Sequence, residues 1–148
     1  MAFFRSLDIS GSGMTAQQYR MDTVAQNIAN IDTTRTAGGE PYRRKMVYFQ
    51  SKSPANISFV DYLQGESLRY EPRGVRVKRV DDDQSQLKAV FDPSHPDSGD
   101  DGYVYYPNVD TTKEMVDMMS ATRSYNANLT MFNAMKDMAK SALDITAR

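Results

Sequence analysis

Apolar residues return every seven positions along the first part of the chain. One row consists of Leu7, Met14, Met21 and Ile28, and a second row beside it consists of Phe3, Val24 and Ile31. Two apolar rows with a seven-residue return are typical of a helix that packs along another helix, so a helix is predicted from Phe3 to Ile31. Gly11 and Gly13 interrupt the pattern, because glycine costs about 1 kcal/mol against alanine inside a helix. Here the helix bends, begins later, or lets a neighbour come close.

The end of the chain repeats this pattern. Its two rows are Met115, Thr122, Leu129 and Leu143, and then Met118, Tyr125, Phe132 and Ala139. Thr111 and Glu114 have the Ser/Thr-x-x-Glu spacing of a capping box, which predicts that the helix begins there. Nothing breaks the helix before Ile145, and at 1.5 Å per residue it would be roughly 50 Å long. A small β domain cannot cover a helix of that length.

The middle of the chain has the short alternating runs that are typical of strands. Aromatic and β-branched residues predict strands at residues 46–49, 74–80, 87–91 and 103–106. Loops are predicted where residues that favour turns accumulate, at 30–41 and 92–102. A variable insertion with a short element near 59–63 is expected between the first two strands.

These patterns predict an α+β protein. Its long N- and C-terminal helices would pack as an antiparallel coiled-coil pair, with a small β-rich domain inserted between them. The expected divisions are an N-terminal helix of a core domain at 1–35, a β-rich middle domain at 36–107 with its insertion at about 51–73, and the C-terminal helix of the core domain at 108–148.

Both helices carry more apolar surface than one partner can cover. The first helix has few charged side chains, and several apolar residues of the second lie off its two rows. Flexible methionines suit a surface that fits several neighbours, although they also serve as ordinary core filler. We therefore predict an assembly interface. It comprises Leu7, Met14, Met21, Val24, Asn27, Ile28, Asn30, Ile31, Met115, Met118, Met119, Tyr125, Leu129, Phe132, Met135 and Met138.

Composition narrows the function. A formal net charge of −1 removes the general electrostatic argument for nucleic acid or an anionic membrane surface. The absence of cysteine excludes disulfides and thiolate metal sites. Asp8 interrupts the N-terminus before an apolar core develops, so no cleaved signal peptide is predicted. No segment reaches the roughly 20 apolar residues of a membrane span.

Candidates for chemistry are few. His95 is the single histidine and lies among aspartates, so a metal-dependent enzyme centred on it is one hypothesis. The spacing does not match a calcium-binding loop, and no phosphate-binding glycine loop or G-x-S-x-G motif occurs. A solvated polar loop is the favoured interpretation. We expect no catalytic residue, no cofactor, no metal ion and no small-molecule substrate.

Basic residues form two clusters, at 43–45 and among Arg69, Arg73, Arg76, Lys78 and Arg79. Acidic residues are interleaved with them, which argues against nucleic acid as a partner. Salt pairing with an acidic surface of a neighbouring subunit is the favoured interpretation. The acidic runs at 81–83 and 97–101 are the candidates for that surface.

The stretch Gln26-Asn27-Ile28-Ala29-Asn30-Ile31-Asp32-Thr33-Thr34 closes the first helix and resembles the signature of bacterial flagellar rod and hook proteins. Further stretches resemble the proximal-rod members of that family, at 21–22, 41–45, 91–97, 102–109 and 114–128. The resemblance implies a structural subunit of the flagellar basal-body rod that polymerises through its terminal helices into a torque-transmitting shaft.

The same resemblance implies partners and a location. The partners would be copies of the chain, other proximal-rod subunits, the distal rod, a rod-base adaptor and the flagellar type III export apparatus. The location would be the extracytoplasmic part of the basal body, in the periplasm or cell-wall zone, reached without a cleaved signal peptide. Another rod paralogue and a non-flagellar coiled-coil adaptor remain alternatives.

Overall fold

A computed structural model describes residues 2–52 and 74–146 of the chain. In chain order, its elements are α1 (Ala2–Ala29), β1 (Lys45–Ser51), β2 (Val75–Asp82), β3 (Lys88–Phe91), β4 (Tyr103–Tyr106) and α2 (Thr111–Thr146). The predicted α+β class with a helix at each end is confirmed. All four predicted strands are present, and every strand end lies within two residues of its expected position. The element predicted near 59–63 lies outside the described residues.

The strands form two separate antiparallel pairs, β1 with β2 and β3 with β4. The first pair is irregular in its middle, because Tyr48 lies opposite Arg79 whereas Phe49 lies opposite Val77. Lys78 is therefore an extra residue on β2. An extra residue of this kind is a β-bulge, which increases the local twist and redirects neighbouring side chains.

The two helices pack against each other and run in opposite directions. Three contacts show this order: Gly13 with Asn128, Arg20 with Asp117, and Asn27 with Glu114. The first helix continues through both glycines without interruption. A Cβ atom at Gly13 would lie 2.8 Å from the side-chain nitrogen of Asn128. Of the three expectations for this stretch, close approach of a neighbour is therefore the one that holds at Gly13.

The start of α2 corrects one prediction. The helix begins at Thr111 as expected, but Asp110 is the residue that caps it. Its Oδ1 atom accepts hydrogen bonds from the backbone N–H groups of Thr112 at 2.9 Å and Lys113 at 3.4 Å. Glu114 does not take part in a capping box, because its carboxylate points inward and is 0% exposed.

The buried apolar residues are few and mostly small. Within the described residues they are Ala16, Val24, Tyr42, Val104, Pro107, Val109, Ala121 and Met135. The loop after α1 is attached to the predicted loop at 92–102, since Thr34 donates a hydrogen bond of 2.7 Å to Asp97. Within the described residues, neither helix is long and apolar enough to cross a membrane. Because few apolar side chains are buried, hydrogen bonds contribute much of the interaction that holds the helices to the strands.

Candidate assembly site

The surface where α1 and α2 meet, called here the inner seam, mixes polar and small residues with large apolar ones. On α2 its most buried row is Glu114, Ala121, Asn128 and Met135, and the half-buried row beside it is Met118, Tyr125, Phe132 and Ala139. The second row is one of the two that the sequence predicts. The other predicted row, which starts at Met115, lies one residue after the most buried row along the helix and is exposed.

The α1 side of the inner seam has the same character. Gly13, Arg20 and Asn27 contact α2 at seven-residue intervals. The predicted row of Leu7, Met14, Met21 and Ile28 lies one residue further round the helix and is half-buried. It reaches the edge of the seam, where the hydroxyl of Thr122 donates a 3.4 Å hydrogen bond to the sulfur of Met21.

Asn27 connects three elements at the end of α1. Its side chain is 1% exposed. The amide nitrogen donates 3.0 Å hydrogen bonds to the carbonyl of Lys45 and to the carboxylate of Glu114. The amide oxygen accepts 2.9 Å hydrogen bonds from the N–H of Lys45 and the hydroxyl of Tyr42. All the donors and acceptors of the side chain are thus used, and the pair of bonds to Lys45 imitates a neighbouring strand.

A chain of charged side chains continues from Asn27. Arg44, which precedes β1, donates from Nε to Glu114 at 2.5 Å and from Nη2 to Asp117 at 3.1 Å. Asp117 also accepts a 2.8 Å hydrogen bond from Arg20. Two arginines and two carboxylates from α1, α2 and the start of β1 are therefore joined. We call Asn27, Tyr42, Arg44, Glu114, Asp117 and Arg20 the junction network.

The junction network shifts two ionisation equilibria. Burial, followed by the negative charges of Asp82 and Glu114, raises the pKa of the Tyr42 phenol. For Arg44, burial alone would lower the pKa, but the hydrogen bond to Glu114 and the charges of the nearby carboxylates raise it overall. Arg44 therefore stays charged, and Tyr42 stays a neutral donor to Asn27 up to alkaline pH.

Large apolar side chains are also exposed on the sides of α2 that do not face α1. Met115 and Met119 are each 54% exposed, and Leu129 and Leu143 follow on the same side. On the other side of the inner seam, Met131 and Met138 are also exposed and follow Asp117 at seven-residue steps. We call these two sets the outer flanks of α2. Large apolar side chains exposed along both sides of one helix are typical of a surface that another protein covers.

The sixteen residues predicted as an assembly interface fall into three groups. Val24, Asn27 and Met135 are buried within the chain. Leu7, Met14, Met21, Ile28, Asn30, Ile31, Met118, Tyr125 and Phe132 are half-buried. Met115, Met119, Leu129 and Met138 are exposed. Their role in assembly stays a prediction, and the exposed group carries it most directly.

Sequence reasoning missed most of the junction network. Arg44 was assigned to a surface basic cluster, and Glu114 to a helix cap. The seven-residue spacing of Glu114, Ala121, Asn128 and Met135 was available as a signal. It was hidden because two of these four residues are polar and one is small.

The side chain of His95 is hydrogen-bonded within its own loop. The Nδ1 atom of His95 accepts a 3.1 Å hydrogen bond from the backbone N–H of Asp97. This bond closes the turn of its own loop. Across residues 2–52 and 74–146, no three side chains of His, Cys, Asp or Glu are grouped as a metal site requires.

Comparison with known families places both ends of the chain in one class. Residues 7–35 match the model of the flagella basal body rod proteins, and residues 100–145 match the model of the C-terminal region of flagellar basal body rod FlgEFG proteins. The first range contains Asn27, and the second contains Glu114 and both outer flanks. The class is therefore that of the flagellar basal-body rod proteins.

Full-length relatives narrow this class. The flagellar basal-body rod protein FlgC of Bacillus subtilis is 48% identical over 149 residues, which cover 98% of this chain and 99% of the relative. The FlgC proteins of Borreliella burgdorferi and Salmonella typhimurium are 43% and 39% identical, and each alignment covers 98% of both chains. The chain belongs to the FlgC family of flagellar basal-body rod proteins. These relatives confirm the predicted rod component and its structural, non-enzymatic character.

Proposed function

We propose that the chain polymerises through the outer flanks of α2, together with the half-buried rows of α1, while the inner seam holds the subunit together. The observation that carries this proposal is the large apolar surface that α2 leaves uncovered. The inner seam includes Met118 and Met135, but the methionines and leucines of the outer flanks are exposed. A helix in an isolated globular domain turns most of its large apolar side chains inward.

Burial of the outer flanks supplies a driving force for assembly. Apolar surface removed from water contributes roughly 25 cal/mol per Å², and a large side chain that becomes fully buried contributes about 1.5–3 kcal/mol. Met115, Met119 and Leu129 on one flank and Met138 on the other are available for this. Methionine adapts to neighbours of different shape, which suits contacts with both copies and other rod proteins.

The finer architecture belongs to this proposal. Residues 1–35 and 108–148 would form one helical core domain as an antiparallel coiled-coil pair, and residues 36–107 would form the domain beside it. The seven-residue recurrence of contacts on α1, and of the most buried positions on α2, supports the coiled coil. The junction network supports a rigid connection between the two domains, because its bonds run from both helices to the start of β1. A rigid connection lets torque pass without bending.

The partners and the location are proposed on the same basis. The partners are copies of the chain, other proximal-rod subunits, the distal rod and a rod-base adaptor. The chain would reach the extracytoplasmic zone of the basal body through the flagellar type III export apparatus, without cleavage of a signal peptide. Membership of the FlgC family supports these assignments.

A charge on the outer flank tests the proposal. In a strain whose own copy of the gene is deleted, the Leu129→Glu variant should be absent from isolated basal bodies and should not restore swimming. The matched control is Thr130→Glu, the next residue along α2, which is exposed and shares its row with the charged residues Arg123 and Asp137. Wild-type amounts of the Leu129→Glu chain in basal bodies, with normal swimming, would contradict the proposal.

A further inference from the structure

The β1–β2 pair presents a basic outer face. Arg76, Lys78 and Arg79 are exposed on β2. The β-bulge at Lys78 interrupts the alternation of the strand, so two consecutive residues, Lys78 and Arg79, are both exposed. Arg79 lies over the ring of Tyr48, with its guanidinium carbon 5.1 Å from the ring centroid, and pairs with Asp81 at 2.9 Å. We call these three cations, with Tyr48, the basic face. Within the described residues, Arg79 is the one of the three with an ion pair.

The β3–β4 hairpin presents a face of opposite character. Phe91 and Tyr103 are cross-strand partners, and their rings meet edge to face with centroids 5.3 Å apart. Tyr105 lies two residues further along β4 and is also exposed. Among the described elements, no Cα atom of the hairpin strands lies within 8 Å of a helix or of the other strand pair. We call these three rings the aromatic face.

Negative charge lies at the turn end of the aromatic face. Asp100 and Asp101 are exposed in the turn beside Tyr103, and Asp92 follows Phe91 directly. Hydrogen bonds from the side chain and backbone of Ser94 lower the pKa of Asp92, so its carboxylate is charged at neutral pH. Electron-rich rings with carboxylates beside them attract cations, and arginine and lysine over an aromatic face contribute about 0.5–1 kcal/mol each at exposed sites.

We propose that the basic face of one copy docks on the aromatic face of the next copy in the rod. The inference rests on the proposed function, since it needs copies to lie side by side. Charge complementarity selects a second copy as the occupant, because each chain carries one face of each kind. Spacing agrees as well: Arg76 and Lys78 are two residues apart on β2, as are Tyr103 and Tyr105 on β4, and both intervals span about 7 Å.

The contact would be heterologous, since two different surfaces of the same chain meet. A heterologous contact leaves one free face at each end, so it extends a ring or a helical array instead of closing a dimer. A heterologous contact would therefore give the assembly a defined head-to-tail polarity. The chemistry repeats one already present within the chain, where Arg79 lies over Tyr48.

Exchange of charges gives the first test. The variants Arg76→Glu/Lys78→Glu and Asp100→Lys/Asp101→Lys should each lower the amount of chain in isolated basal bodies by about tenfold or more, because like charges then face each other. The chain that carries all four substitutions should recover most of this loss. Equal amounts in all variants, or a four-fold substituted chain that is worse than either pair, would overturn the proposal.

Crosslinking gives the second test, because the chain has no native cysteine. Two differently tagged copies, one with Lys78→Cys and one with Asp101→Cys, are expressed together and treated in isolated basal bodies with a short bismaleimide. A product that contains both tags is expected. The control replaces Lys78→Cys with Glu40→Cys, which is exposed on another loop, and should give no such product.

The outcomes separate the contact from polymerisation itself. If both cysteine copies enter rods but give no mixed product, the contact is overturned and polymerisation through the outer flanks stands. If the Leu129→Glu chain assembles normally while the crosslink still forms, the proposed role of the outer flanks is wrong and the contact between the two faces stands. If the mixed product forms equally with the Glu40→Cys copy, the crosslink reflects proximity alone, and the proposal fails.

Discussion

The inner seam and the outer flanks lie on the same helix and differ in exposure and in their share of polar and small residues. The inner seam contains Glu114, Ala121 and Asn128, which meet Asn27 and Gly13 of α1. The outer flanks contain methionine and leucine with more than a third of their surface exposed. An isolated domain would be stabilised better by the reverse arrangement. The difference supports the proposal that the fold of one subunit and the assembly of many use separate sides of α2.

The chemistry of each side suits its task. A polar pair such as Asn27 and Glu114 bonds in one register, so it determines how the two helices align. A methionine surface tolerates different shapes and angles, so it fits neighbours that are not identical. On the proposed assembly, hydrogen bonds set the geometry inside the subunit, and apolar area would provide the affinity between subunits.

Removal of the buried carboxylate should break the inner seam most severely. The Glu114→Ala chain should lose about 3 kcal/mol of unfolding free energy, because Arg44 and Asn27 are left in a buried site without their partner. The loss stays at the lower end of the usual range, since Arg44 keeps its pair with Asp117. Urea unfolding of the purified chain measures it. The control Glu40→Ala, at an exposed loop position, should change the value by less than about 0.5 kcal/mol.

Asn27→Ala should follow with a loss of about 2–3 kcal/mol. The substitution leaves the N–H and C=O of Lys45 without their side-chain partner at a half-buried position. Amide hydrogen exchange at Lys45 should also become faster. Asn126→Ala, an exposed asparagine on α2, is the control. If the two alanine variants unfold at the same urea concentration, the junction network does not hold α1 to β1.

Tyr42→Phe should lower the unfolding free energy by about 1 kcal/mol at neutral pH, through loss of its hydrogen bond to Asn27. The raised pKa of Tyr42 adds a pH dependence. Its contribution is fully present below the unfolded-state pKa of about 10, and it is lost as pH rises through the higher folded-state value. The variant should therefore show a shallower alkaline fall than the parent. A parallel fall in both chains would show that Tyr42 ionises as readily in the fold as outside it.

Substitution on the outer flank should have the smallest effect on the isolated chain. The unfolding free energy of Met119→Ser should stay within about 0.5 kcal/mol of the parent, because that side chain is exposed. Its abundance in basal bodies should nevertheless fall. A large loss of stability in the free chain would show that Met119 belongs to the fold and would weaken the comparison.

Much of the architecture follows from sequence pattern. Seven-residue returns locate both helices, and alternation locates the four strands, because each depends on local geometry alone. The choice of seam does not follow from hydrophobicity. Met115 and Leu129 satisfy the apolar pattern better than Glu114 and Asn128 do, but the latter pair finds hydrogen-bond partners and close contacts on α1. Those partners are distant in sequence, so a local pattern cannot reveal them.

The junction network shows the same limit. Arg44 lies in a basic run that reads as surface, and its burial depends on two carboxylates some 70 residues away in α2. Asn27 is part of the motif that carries the family resemblance, but its task is visible only once β1 lies beside α1. Motifs thus located the family, whereas tertiary contacts explain why the motif asparagine is needed.

The most direct test of the separation between inner seam and outer flanks is maleimide labelling of single cysteines in the free chain and in isolated basal bodies. Met119→Cys should label rapidly in the free chain and be protected in the rod. Ala121→Cys, at a position that is 0% exposed, should be protected in both. Equal labelling of Met119→Cys in the free chain and in the rod would contradict the account, because the outer flank would then remain uncovered after assembly.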